Sequence, residues 1–197
     1  MNVLEVKRKL FHLLSGLITI FLFAFDFIGW RVILALLISL AVASYISRHE
    51  RIPFFENFLS HMDRPHDRKR IPAWGALTYL FGIFLSILLF EKDIALAAIS
   101  ILVVGDSIAP LVGIHFGRRK HPLNEKKEIE GGIAGFVSSF LLALFFVVWY
   151  EAFFGAFFGM IVEALELKVK GRDLFNDNIT IPLVSGFVIF FIRLMVG

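Results

Sequence analysis

The chain has 197 residues, 58% of them hydrophobic, with 24 Phe, no Cys, and 20 basic against 17 acidic side chains. That apolar share lies above the roughly 45–50% of soluble domains. With a mean hydropathy of +0.79, it excludes a disordered chain, a disulfide scaffold and an ordinary soluble enzyme, while a net charge of +3 is too small to argue for nucleic acid.

At about 20 residues per crossing the chain holds at most about seven spans. Seven apolar segments fill that allowance: 10–28, 30–47, 72–90, 94–116, 131–150, 152–167 and 179–196. The expected fold is an all-α, polytopic integral membrane protein forming one membrane-embedded domain over 1–197. The first segment lacks a small-x-small cleavage site and runs into the second, unlike a cleaved signal peptide.

Lys and Arg collect in the N-terminus and in the loops 48–71, 117–130 and 168–178, which together hold 17 of the 20; only Arg31, Lys92 and Arg193 fall elsewhere. Translocating cations is costly, so those loops and the N-terminus are expected in the cytoplasm. The alternation requires the sixth segment to span, although Glu151, Glu163 and Glu166 bound it. Its Phe153, Phe154, Phe157, Phe158 and Ile161 share one helical face, predicted to meet lipid. Ala152, Gly155, Ala156, Gly159, Glu163 and Glu166 share the other, predicted to face the bundle.

The fourth segment carries Asp106-Ser107-Ile108-Ala109-Pro110 within apolar sequence. Asp106 lies ten residues before Phe116, about 15 Å of helix. An ionised acid at such depth marks a site or has a partner. Pro110 lacks the amide that would bond the Asp106 carbonyl, so two hard oxygens are offered there, which suits Mg²⁺. Ala109, Gly113 and Gly117 form a ridge of small residues that packing alone would also explain.

Next comes a glycine-flanked basic loop with Gly117, Arg118, Arg119, Lys120, His121, Lys126, Lys127, Glu130 and Gly131. Its five cations form either a polyphosphate cradle or a headgroup contact. In the last loop, Asp177 or Asn178 can cap the final helix, and a metal or ribose contact is the second reading. No Walker A or Rossmann turn is present, and His49, His61 and His66 read as surface histidines of a polar loop. His115 and His121 flank the basic turn.

Together these elements resemble the CTP-dependent polyprenol kinase family, which includes dolichol kinase, phytol and farnesol kinase, and yeast-type diacylglycerol kinase. The resemblance is carried by Arg8-Lys9-Leu10-Phe11-His12 with Gly16; by Arg70, Gly75, Tyr79 and Gly82; by Asp106-Ser107-Ile108-Ala109 with Gly113 and Gly117; by Lys127-Glu128-Ile129-Glu130-Gly131; and by Glu163-Ala164-Leu165 with Asp177-Asn178 and Pro182. Glu128 stands where the pattern has Ser or Thr, and Gly132 where Ser is frequent, so the choice of CTP over another nucleotide stays open.

The resemblance implies transfer of the terminal phosphate of CTP to a membrane-embedded alcohol, with Mg²⁺ as cofactor. Asp106, Lys127 and Glu130 are then the expected catalytic set. Ser107, Gly113, Gly117, Arg118, Arg119, Lys120, Lys126 and Gly131 are expected at the nucleotide. Arg8, Lys9, His12, Arg70 and Tyr79 are expected at the lipid substrate, and Asp106, Glu163, Asp177 and Asn178 at the metal. Glu130 or Glu163 orients Lys127, holds a second metal or takes the alcohol's proton; the sequence does not rank these roles.

Expected partners are the lipid alcohol, the nucleotide and membrane lipid, without nucleic acid, and a homodimer is left open. The expected location is a multi-pass position in the membrane (the cell membrane for a prokaryotic chain) with the active site facing the cytoplasm. Two rival readings are a CDP-lipid synthase, which would release pyrophosphate, and a small ion or proton-coupled transporter with Asp106 as its carrier group.

Overall fold

The structure, a computed structural model, describes residues 3–48, 50, 53–63, 70–165, 168–169, 172–173 and 176–196. The described residues are 81% helical and form eight helices. In chain order these are α1 (Val3–Ala24), α2 (Trp30–Ile46), α3 (Pro53–Met62), α4 (Trp74–Leu89), α5 (Lys92–Phe116), α6 (Ile129–Ala143), α7 (Trp149–Ala164) and α8 (Asp177–Val196). Two small antiparallel hairpins qualify the all-α expectation: β1 (Lys120–His121) with β2 (Asn124–Glu128), and β3 (Lys168–Val169) with β4 (Arg172–Asp173).

Seven helices coincide with the seven apolar segments, and α3 is added within the 48–71 loop. Boundaries shift: the first helix begins before Leu10, and the sixth segment is centred earlier, on Trp149–Ala164. Two helices, Lys92–Phe116 and Asp177–Val196, are long and apolar enough to cross a membrane by length and composition. Glu166, His49 and His66 lie outside the described residues.

Helix α5 is the axis of the bundle, with α1, α4, α6, α7 and α8 packed around it, while α2 packs on α4. Its first half is apolar on every side, as a wholly enclosed helix must be. Ile94, Ala95, Ala97, Ala98, Ile99, Ile101, Leu102 and Val103 are fully buried. The segment Ile101–Gly105 is wound as a π-helix before the α-helical stretch Asp106–Phe116. Such wide turns occur often at functional sites because they re-aim the residues beside them.

The outer surface inverts the pattern of a soluble protein. Leu10, Leu14, Ile18, Phe21 and Phe25 of α1 and its following turn are exposed, as are Ile133, Val137 and Leu141 of α6 and Phe187 and Phe191 of α8. These are helical stripes of large apolar side chains, far more than a monomer in water leaves bare. On α7, Phe153, Phe154, Phe157 and Phe158 are exposed, whereas Ala152, Gly155, Ala156, Gly159 and Glu163 are buried. Gly155 and Gly159 allow the close approach: a Cβ on either would meet Ile189 or Ser185 of α8 and Ile101 of α5.

Candidate functional site

Four helix ends, the starts of α1, α4 and α8 and the end of α7, meet the middle of α5 just past its π turn. Asp106, the first residue after that turn, is buried among them. Lys9 of α1 donates to Asp106 Oδ2 at 2.7 Å, and His12, one turn further, places Nε2 3.8 Å from the same oxygen. The His12 ring in turn packs on Tyr79 of α4, with centroids 4.1 Å apart. Two segments remote in sequence from α5 thus bring polar side chains around its one acid.

A second lysine arrives from the β1–β2 hairpin. Lys127 Nζ donates to the Glu163 carboxylate at 2.7 Å and also to the Glu163 carbonyl at the end of α7. Desolvation alone would lower the Lys127 ammonium, but Glu163 and Asp177 outweigh it and hold Lys127 above its ordinary value. Asp106 is a further electrostatic neighbour of Lys127, and Asp177 interacts with Asp106, Lys127, Glu163 and Lys9. Two ammonium groups therefore sit among three carboxylates.

The neighbouring contacts fix this arrangement. Asn178 donates its side-chain amide to the Gly75 carbonyl and the Thr78 hydroxyl, which ties the start of α8 to α4. One turn along α4, a Cβ on Gly82 would strike the Asn178 carbonyl. Arg8 pairs with Glu5 at 2.8 Å and extends over Gly75. Arg70 is exposed and gives its carbonyl to Arg48.

The hairpin itself is closed by acids. Glu130 accepts hydrogen bonds from the amides of Arg118 and Arg119 at 3.1 and 3.3 Å, and Glu128 pairs with its cross-strand partner Lys120 at 2.7 Å. Glu130, expected beside Lys127 in the reacting centre, is thus engaged in shaping the loop. Arg118, Arg119, Lys120 and Lys126 are exposed on the same loop. Gly113 and Gly131 serve the crossing of α5 with α6, and Gly117 makes room for the Glu128 side chain of β2: a Cβ on Gly131 would strike the Ala109 carbonyl, and one on Gly113 would lie 2.9 Å from Glu128 Oε2. Ser107 is buried with its hydroxyl free of hydrogen bonds.

The structure divides the four residues expected at a metal. Glu163 is turned to Lys127 and the Asn178 amide to α4. Among the described residues no group of three or more His, Asp or Glu side chains is gathered as a ready ligand shell. Asp106 and Asp177 remain as neighbouring carboxylates. That pair fits Mg²⁺, which takes one or two protein carboxylates and completes its shell with phosphate oxygens and water.

The chain is 29% identical to CTP-dependent diacylglycerol kinase 1 of Saccharomyces cerevisiae over 136 residues, 67% of this chain and 47% of that protein. It is 30% identical to farnesol kinase, chloroplastic, of Arabidopsis thaliana over 144 residues, 66% of this chain and 43% of that protein. The named relatives are lipid kinases of the CTP-dependent polyprenol kinase family. A Glycine max protein named probable phytol kinase 1 adds 26% identity over 146 residues, 68% of this chain and 46% of that protein. The chain spans about half the length of these curated relatives. No family model and no solved structure matches it.

The relatives support the resemblance read from the five sequence elements. What sequence reasoning lacked was the pairing. Lys9 was expected at the lipid and Asp106 at the metal, yet they form one ion pair. The signal for it was present in the cost of a lone buried carboxylate, which demands a cation, but nothing local in the sequence says which cation.

Proposed function

We propose that this chain is a lipid kinase domain that transfers the terminal phosphate of CTP to the hydroxyl group of a membrane-embedded alcohol of the polyprenol or dolichol type. The observation that carries this reading is the buried Asp106 with Lys9, Lys127 and Asp177 converging on it from three other elements. In the reaction the alcohol oxygen bonds to the terminal phosphorus as the bond to the bridging oxygen breaks. CDP leaves, and the hydroxyl proton passes to a carboxylate of the cluster.

Phosphoryl transfer depends mainly on positioning and on neutralising charge. Lys9 and Lys127 supply fixed positive charge at the reacting phosphate, and Glu163 holds Lys127 in place. Arg118, Arg119, Lys120 and Lys126, on the same loop as Lys127, bind the remaining phosphates. Mg²⁺ held by Asp106 and Asp177 would add further neutralisation once phosphate oxygens complete its shell.

The exposed apolar stripes on α1, α6, α7 and α8 support a bundle solvated by lipid. The one-sided distribution of Lys and Arg supports a multi-pass topology, with seven spans and the site facing the cytoplasm. The lipid then reaches the site within the plane of the membrane, while the nucleotide comes from water.

The test is transfer by purified protein in lipid nanodiscs with Mg²⁺ and terminally labelled CTP, ATP, GTP or UTP. Acceptors are isoprenoid alcohols of increasing length and diacylglycerol. Label in the lipid phase with release of CDP is the expected result. Asp106→Asn should lower it by about 10²-fold or more, as loss of a charge-stabilising group does. Pyrophosphate release would overturn the reading in favour of cytidylyl transfer, and solute flux without nucleotide turnover in favour of a transporter.

A further inference from the structure

Beside Asp106, two buried polar atoms lack a hydrogen bond: Nε2 of His12 and the hydroxyl of Tyr79. Buried donors and acceptors without partners are costly and uncommon in folded chains. His12 lies against the Asp106 carboxylate and Tyr79 stacks on His12 within the electrostatic reach of that acid, so the two mark a place for a polar guest. The Tyr79 hydroxyl passes the imidazole and lies against Gly16 and Val103, where a Cβ on Gly16 would strike it. Its neighbour Ser15 spends its hydroxyl proton on the carbonyls of Phe11 and His12, so toward Tyr79 it presents only an acceptor oxygen.

The spacing suits a single oxygen. His12 Nε2 and Asp106 Oδ2 are 3.8 Å apart, too far for a direct hydrogen bond. An oxygen about 2.8 Å from each bridges that gap without strain. A hydroxyl group has one donor and two acceptor positions. With the His12 proton on Nε2, all three find partners: it donates to Asp106 and accepts from His12 and Tyr79.

Chemistry distinguishes this side of Asp106 from the other. Phosphate is drawn to ammonium groups, and these are Lys9, Lys127 and the cations of the hairpin loop. An imidazole and a phenol suit an uncharged hydroxyl. Around His12, α1 presents exposed Leu10, Phe11 and Leu14, so the buried polar seat lies beside an apolar outer face. A molecule with one terminal hydroxyl on an apolar tail matches both parts.

Resting on the kinase reading above, we propose that His12, Tyr79 and Asp106 seat the hydroxyl group of the acceptor alcohol, whose tail leaves across the outer face of α1. Asp106 then stands between a phosphate side and an alcohol side of one site.

The experiment uses the full chain in nanodiscs and measures KM for farnesol, KM for CTP and the melting temperature with and without farnesol in the absence of nucleotide. Tyr79→Phe should raise the farnesol KM about tenfold, the effect of one lost hydrogen bond, and leave the CTP KM unchanged. Because it removes an unpartnered buried hydroxyl, it should leave the melting temperature unchanged or raise it. His12→Gln should likewise raise the farnesol KM alone. Farnesol should raise the melting temperature of the wild-type chain and do so less for both variants. An unchanged farnesol KM in both variants, or a fall in melting temperature with both KM values rising together, would overturn the seat and leave these residues holding water or supporting the fold. Transfer by the wild-type chain to no alcohol at all would instead sink the kinase reading, and this inference with it.

Discussion

Lys9 and Asp106, 97 residues apart in sequence, form an ion pair at 2.7 Å in which both side chains are largely buried. Removing one member of such a pair strands the other, which typically costs about 3–5 kcal/mol, whereas replacing both by apolar residues is often neutral. Lys9→Met and Asp106→Leu should therefore each lower the unfolding midpoint. The double variant Lys9→Met with Asp106→Leu should recover most of the loss and still transfer no phosphate. A denaturation series alongside the labelled-CTP assay checks both halves. A double variant as unstable as the singles would show that the pair is not what holds α1 to α5.

Lys127 has a different expected signature, in pH. Its ammonium is held above the ordinary lysine value by Glu163 and Asp177, which outweigh the effect of desolvation. A raised folded value supplies stability that is fully present below the unfolded value of about 10.4 and is lost only as pH climbs through the folded one. CTP affinity should therefore show no step from Lys127 between about pH 6 and 9. Lys127→His, with an ordinary value of about 6.5, should introduce one, with affinity falling as pH rises through the neutral range. Lys127→Ala should lower turnover by about 10²-fold or more at every pH. Isothermal titration with CTP across pH, beside turnover, measures these effects, and a wild-type step near neutrality would contradict the assignment.

The glycines at the α5–α6 crossing should rank by what their Cβ atoms would meet. At Gly131 the obstacle is the Ala109 carbonyl, which is backbone, whereas at Gly113 it is the far end of the Glu128 side chain at 2.9 Å. Backbone cannot step aside within a packed bundle, but a carboxylate can rotate. Gly131→Ala should therefore cost about 1–3 kcal/mol, the usual range for overpacking, and Gly113→Ala much less. If these glycines instead served only to let phosphate approach, both substitutions would raise the CTP KM with the melting temperature unchanged.

Much of this arrangement was legible from hydropathy and from exceptions to it. The apolar periods gave seven helices, and the Phe and Gly faces of α7 divided as their chemistry requires. Asp106 stood out because an acid inside an apolar helix needs a partner. The π turn at Ile101–Gly105 was not legible, since five apolar residues in a buried helix carry no mark of a widened backbone. Nor were the strands at Lys120–His121 and Asn124–Glu128, which are short, charged and without alternation. Glu130 shows the limit of reading by neighbourhood: three residues from Lys127, it bonds the amides of Arg118 and Arg119. Pairings across the bundle depend on which helix faces meet, and that information is not local to either residue.

Arg193, one of the three cations outside the basic loops, yields a prediction about stability separate from chemistry. It donates from Nε and Nη2 to both oxygens of Glu151, at 3.0 and 2.8 Å, and from Nη1 to Asp93 at 2.8 Å. This fastens the end of α8 to the starts of α7 and α5, at the opposite end of the bundle from Asp106. The Glu151 side chain is only 4% exposed, so Arg193→Leu leaves a buried carboxylate unpaired, at a cost of about 3–5 kcal/mol. The double variant with Glu151→Leu should regain most of that, giving a large coupling energy in the mutant cycle. Transfer per folded molecule should be unchanged in Arg193→Leu, in Glu151→Leu and in the double variant, because the reacting groups sit at the opposite end of the bundle. Melting curves combined with turnover normalised to folded protein decide the matter. A selective loss of turnover in stable Arg193 variants would place this cluster in the reaction rather than in the scaffold.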